Sequence, residues 1–232
     1  MANSYSQTSK KIDYTSDRTL KDENKYPGAI ILSKVTNQVY FIHEGIEIWC
    51  DQAIHYDEAN FFKAYGNVRM QQGDTVTMQS KYAEYNGTTQ FAFASGNVKM
   101  SRPLSSIETD TLFFDRLKQQ AYYRSGGTVR DTASVLTSKI GRYYLDQDKY
   151  SFLSNVKVTN PKYVINSQQL DFYSESGYAY LYGPTTIVSE TSTVYCERGF
   201  YDTRGDVGYF VKNSKINYEN RVLEGDSLYF NR

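Results

Sequence analysis

Only two histidines, His43 and His55, and two cysteines, Cys50 and Cys196, occur in this chain of 232 residues. Cys50 with His55 has the residue types of a nucleophile and its base, because an imidazole in reach of a thiol can take its proton. A metal site would need ligands at close, repeated spacing, and neither His-x-x-x-His nor Cys-x-x-Cys is present. No acidic calcium loop and no glycine-rich phosphate loop is present either. A carboxylate pair for polysaccharide chemistry would concentrate acids in one cleft. The acids here are instead interleaved with lysines, as in Asp51, Lys81, Asp110 and Lys139. Alternating signs along one face relieve repulsion between neighbours, which is what a solvated ladder requires. The sequence nominates no catalytic, cofactor or metal residues.

The reason lies in the spacing that places these residues. One small residue recurs as Cys50, Ser80, Thr109, Ser138, Ser167, Cys196 and Gly225, with a first step of 30 and then steps of 29. Two positions earlier stands an aliphatic side chain: Ile48, Met78, Ile107, Leu136, Ile165, Val194 and Leu223. One position later the residue is polar: Asp51, Lys81, Asp110, Lys139, Gln168, Glu197 and Asp226. Three later it is Ala53, Ala83, Leu112, Gly141, Leu170, Gly199 or Leu228, and five later a ring: His55, Tyr85, Phe114, Tyr143, Phe172, Tyr201 and Phe230. A period of this length marks a stack of supersecondary units. His55 then fills a ring slot and Cys50 a small-residue slot, so their proximity in sequence is coincidental.

Each first half-unit is followed by a second, clearest as Gly66-Asn67-Val68-Arg69-Met70 and Gly96-Asn97-Val98-Lys99-Met100. Weaker copies begin at Gly126 and Ser154. Gly and Asn tolerate positive φ, so Gly-Asn reads as a bulge or turn, and the alternation after it reads as a strand with one buried face. Parity adds a constraint. The aliphatic and ring columns are an odd number of positions apart, so both can face inward only if the strand bulges or turns a corner near the polar column.

Composition agrees with an all-β chain. Aromatic residues make up 16%, with 23 Tyr and only four Pro, and Tyr, Phe, Val, Ile and Thr favour pleated, half-buried surfaces. Lys plus Arg and Asp plus Glu are both 26, a formal net charge of zero, and no basic run interleaves with aromatics, so nucleic acid is not an expected partner. No apolar run approaches the ~18 residues of a spanning helix. Cys50 and Cys196 share a column five units apart, roughly 24 Å at one strand spacing per unit and roughly 48 Å at two. A disulfide needs Cα atoms about 5.5–6 Å apart, so two free, buried thiols are predicted. Residues 1–25 are polar and partly loop, with loop expected over Ser16 to Lys25. Ala29 to Leu32 and Val39 to Ile42 read as strands opening a repeat domain over residues 26–232. No secretion signal of ~7–15 apolar residues stands in the first 25.

The unit Cys50-Asp51-Gln52-Ala53, Tyr56 and Phe61-Phe62-Lys63-Ala64-Tyr65-Gly66-Asn67-Val68 resembles the OstA-like family, which includes the LptA-like bridge proteins of lipopolysaccharide transport. The resemblance recurs at Ser80-Lys81-Tyr82-Ala83 and from Phe91 to Val98, and Tyr26 to Leu32 with His43-Glu44-Gly45 is similar to the family's entry segment. It implies a twisted, semi-open β-jellyroll of antiparallel strands, a periplasmic location after removal of a signal peptide, and no catalytic function or cofactor. The implied partners are lipopolysaccharide or another acylated lipid and further jellyrolls joined by end-to-end strand addition, with a homo-oligomer among the possibilities. The implied lipid-facing residues are the aliphatic and ring columns. Two other readings of the repeat are a structural or adhesive stack with a closed, packed core and a carbohydrate-active β-solenoid.

Overall fold

A computed structural model describes residues 10–231, all of whose regular elements are strands. Residues 1–9 of the polar N-terminal segment lie outside the described residues. The chain divides into two compact units. One comprises residues up to Pro103 with Thr111–Lys118; the other comprises Leu104–Asp110 with the residues from Gln119 onward.

Unit one contains β1 (Asp13–Thr15), β2 (Arg18–Leu20), β3 (Ile30–Ser33), β4 (Val39–His43), β5 (Ile46–Cys50), β6 (Gln52–Tyr56), β7 (Phe61–Gln72), β8 (Val76–Asn86) and β9 (Phe91–Arg102). Strand β10 (Ser105–Asp115) is divided between the units. Unit two continues with β11 (Gln120–Tyr123), β12 (Gly127–Asp131), β13 (Val135–Ser138), β14 (Ile140–Tyr144), β15 (Lys149–Asn160), β16 (Tyr163–Tyr173), β17 (Tyr178–Ser189), β18 (Ser192–Asp202), β19 (Val207–Tyr218) and β20 (Arg221–Asn231). Consecutive long strands pair antiparallel, as β7 with β8, β8 with β9, and each neighbour from β15 to β20. Where its strands run unbroken, a 29-residue repeat is thus a pair of long strands, a meander rather than a coil.

The predicted corner is present at the polar column. Strands β5 and β6 part at Asp51, and β13 and β14 part at Lys139. Where the strand stays whole, the register slips at the same place: between Tyr65 and Val68, Leu153 and Val156, Tyr182 and Thr185, and Val211 and Ser214. The slipped residues have positive φ at Gly66 and Asn67, Gly96 and Asn97, Ser154 and Asn155, and Lys212 and Asn213. Glycine is needed at the first of these, because a Cβ on Gly66 would lie 2.9 Å from Asp51 Oδ2 at a φ of 71°. Asn67 donates to the same Asp51 carboxylate, and Asn213 donates to Glu197 at 2.8 Å. The polar column therefore secures the bulges through hydrogen bonds as well as standing in solvent.

The expectation of loop from Ser16 to Lys25 needs correction at Arg18–Leu20, which forms β2 on the edge of β3 with Thr19 opposite Leu32. The cause is Asp17. Its carboxylate accepts the backbone N–H groups of Val35, Thr36 and Asn37 at 3.0, 2.7 and 2.7 Å, tying the turn after β3 to the start of β2. These bonds hold the Asp17 pKa down at about 2. The expected strands at Ala29 to Leu32 and Val39 to Ile42 correspond to β3 and β4 within a residue.

Candidate functional site

The inward columns form rows because antiparallel register sets them opposite one another. In unit two the aliphatic row runs Ile107, Val129, Leu136, Val158, Ile165, Ile187, Val194, Ile216 and Leu223, each directly opposite the next. In unit one it runs Phe41, Ile48, Met70, Met78 and Met100. Directly opposed residues have Cβ atoms about 4.5–5.5 Å apart, close enough for an unbroken apolar strip in each unit. The second half-units contribute every other member, so the lining includes Val129, Val158, Ile187 and Ile216, which the column rule did not name.

The ring column behaves similarly. In unit one, Ile30, His55, Phe62, Tyr85 and Ala92 lie in register. In unit two the row is Ala121, Tyr143, Tyr150, Phe172, Ala179, Tyr201, Gly208 and Phe230. Three rings stand directly opposite one another from Tyr143 to Phe172, and beyond Phe172 rings alternate with Ala or Gly; at Gly208 the Phe210 ring takes the space a side chain would need. A Cβ on Gly208 would meet Phe210 at 2.4 Å.

Most predicted lining residues are buried: Ile48, Met78, Ile107, Leu136, Ile165, Val194, His55, Tyr85, Phe114, Tyr143 and Tyr201. Phe172 and Phe230 are half-buried. Leu223 departs from the expectation. It keeps its place in the row opposite Ile216, yet is 53% exposed, against 4% for Val194 in the same column. Among the described residues β20 pairs only with β19, so its side chains lack the second neighbour that covers those of β18.

Polar groups of the lining are engaged at its margins. Tyr143 and Tyr201 each donate to the aspartate five residues on, Asp148 at 2.9 Å and Asp206 at 2.6 Å. Tyr123 shares a hydrogen bond with Ser138 at 2.7 Å, and Tyr150 donates to Ser105 at 3.0 Å. His55 differs from these: neither ring nitrogen has a hydrogen-bond partner. Its ring lies edge-on to Tyr14 and Phe41, with centroids 5.0 and 5.8 Å apart. Burial, the dominant cause, lowers its pKa. Cys50 and Cys196 are free and buried as predicted, and burial pushes their thiols up to about 12 and about 11. A thiol that stays protonated and a histidine bonded to nothing make no nucleophile–base pair.

Sequence reasoning missed a further column. Asn60, Gln90, Gln119, Asp148, Gly177 and Asp206 sit in the hairpin turns with positive φ. The carbonyls of the first five accept N–H groups from Gly87, Arg116, Leu145, Ser174 and Thr203 at 2.7–3.1 Å. Those donors are themselves 29 residues apart. The turn carbonyls are rotated outward by the left-handed conformation, and this aims them at the next turn. Only the spacing could have revealed the column, since its side chains have no chemistry in common.

Comparisons with known proteins bear on the same residues. The family OstA-like protein matches residues 9–168, more than half of the chain. Among solved structures, the chain is similar to LptH from Pseudomonas aeruginosa, the LptA-homologous periplasmic component of the lipopolysaccharide transport device. That similarity has 11% identity and a TM-score of 0.40, and covers 43% of this chain and 76% of that one. No curated protein matches. The matched span takes in the repeat columns as far as Ser167 and the corner bulges at Gly66, Gly96 and Ser154, and the chain belongs to the OstA-like protein family.

Proposed function

We propose that this OstA-like protein is a non-enzymatic lipid conduit, with residues 26–232 carrying lipopolysaccharide through the periplasm towards the outer membrane, its acyl chains against the inward rows. The observation that supports this best is the aliphatic row of unit two, continuous by register from Ile107 to Leu223 and reaching water at Leu223. A saturated chain gains about 0.8 kcal/mol per buried methylene. A lining without fixed charges lets that chain shift along its length with no ion to desolvate at each step. The same uncovered edge at β20 suits strand addition by another jellyroll or a second copy. Unpaired strand edges are the usual template for such contacts.

The test uses Leu223→Asp, whose exposure spares the fold, beside Ile107→Asp in the buried row. Photocrosslinking to a lipid A probe should drop about tenfold or more in Leu223→Asp, with far-UV circular dichroism unchanged. Undiminished crosslinking in both variants, each still folded, would refute the groove. The structural-stack reading draws on the tight ring packing of the interior: Phe41 stacks on Phe62 at 3.9 Å, and Tyr143 on Tyr150 at 4.2 Å. A folded wild-type protein that takes up no lipid probe would favour that reading.

A further inference from the structure

A short segment, Lys10–Thr15, pairs with β4 and lays Tyr14 on His55 of the unit-one ring row, and its attachment differs from the rest of the sheet. Strand β1 pairs with β4 alone among the described residues, Tyr14 opposite Phe41 and Asp13 opposite Ile42. All three of its residues are exposed. The segment is gripped mainly through its backbone by two buried polar side chains. Asn60, 7% exposed, accepts the Ile12 N–H on Oδ1 at 2.9 Å and donates from Nδ2 to the Lys10 carbonyl at 3.1 Å. His43, 3% exposed, contacts the same carbonyl through Nε2 at 2.8 Å and the Tyr85 hydroxyl through Nδ1 at 2.8 Å. A carbonyl can only accept, so Nε2 carries the proton and, in the neutral ring, the Tyr85 hydroxyl donates to Nδ1.

Side chains complete the seal. Ile12 is buried against Gly87, where a Cβ would come 2.9 Å from Ile12 Cγ1 and 2.6 Å from Asn60 Nδ2. Tyr14 lies across His55 and Phe41. We propose that Lys10–Thr15 is a releasable strap over the ring row of unit one, and that an acyl chain entering there displaces it. This rests on the lipid-conduit reading. Release is favoured by the way the strap is held. The ladder it leaves is short and one-sided. The Asn60 and His43 bonds to the strap's backbone are what oppose release, since each leaves a buried polar group to find another partner. The Lys11–Asp57 ion pair that adds to the closure is exposed and contributes little. The Ile12 and Tyr14 contacts that are lost are of the type an acyl chain replaces, apolar against Phe41, His55 and the surface beside Gly87.

The full chain carrying Asp13→Cys and Ile42→Cys tests this. The two positions are directly opposite and both outward, within the Cα separation a disulfide accepts, and the native thiols are buried. Uptake of a fluorescent long-chain fatty acid should be about tenfold slower in the oxidised form than after reduction, with the crosslink verified by mass. Ile12→Asp, which loosens the strap without touching the row, should take up the probe faster than wild type. Exchange of the Ile12 amide should quicken when the probe is bound. Equal uptake by oxidised and reduced protein, with Ile12→Asp no faster, would overturn the strap while leaving the conduit standing. A folded wild type that binds no probe would overturn both.

Discussion

His55 fills an aromatic slot without an aromatic's freedom from hydrogen bonding, and both its nitrogens are buried unpaired. A buried polar group left unsatisfied costs about 1–3 kcal/mol, so His55→Phe should stabilise unit one by about that amount in urea unfolding. The same ring sets an acid dependence. Its folded pKa is depressed by burial, so the unfolded chain binds the proton more readily, and stability rises with pH wherever the unfolded state holds more protons. Stability should therefore fall as pH drops below the ordinary histidine value of about 6.5, and keep falling until the folded pKa is reached. His55→Phe should flatten that part of the profile, and an unchanged slope would mean another group titrates there. Glycine is demanded at a different residue for a steric reason. Gly177 has a φ of 80°, and a Cβ there would lie 2.8 Å from Arg204 Cγ and 2.9 Å from Thr203 Oγ1. Gly177→Ala should cost about 1–2 kcal/mol, read as a lower urea midpoint.

At the level of strands and turns, the sequence shows what packing dictates and hides what backbone conformation alone dictates. The aliphatic and ring columns were visible because each position admits only certain side chains, whichever repeat it belongs to. The corner was visible from parity, and the bulge from Gly66-Asn67 and Gly96-Asn97. At Lys212-Asn213 the same bulge carries a lysine at a φ of 66° in place of the glycine, and only Asn213, in the slot of Asn67 and Asn97, marks it. The turn column is hidden for a similar reason: Asn60, Gln119 and Asp148 share a left-handed φ and an outward carbonyl, not a chemistry. Strand β2 escaped notice because three exposed residues carry no periodic pattern; what fixes them is Asp17, a single carboxylate reaching the turn after β3. Asp17→Ala should speed amide exchange at Val35, Thr36 and Asn37. In the wild type that protection should be full above the ordinary carboxylate pKa and fade as pH falls through about 2. Protection that survives the substitution would place the restraint elsewhere.

Over the chain as a whole, seven repeats give similar residues to every unit, yet a residue's weight depends on how many strands flank it. Stability in such arrays is close to a sum over repeats and their nearest-neighbour contacts. Ile165 on β16 has Val158 and Ile187 on either side and is 1% exposed. Leu223 occupies the same column on β20, has Ile216 on one side, and is 53% exposed. Identical column positions should thus respond unequally to the same truncation. Ile165→Ala removes side-chain atoms from a closed site and leaves a cavity, which costs about 2–5 kcal/mol. Leu223→Ala removes atoms that water already reaches and should stay within about 0.5 kcal/mol of wild type. Urea midpoints at constant m-value report the difference. Comparable losses would show that β20 is covered in solution, by a second copy or another surface. In that case the Leu223 loss should shrink on dilution, since a contact between molecules weakens with concentration and a contact within one does not.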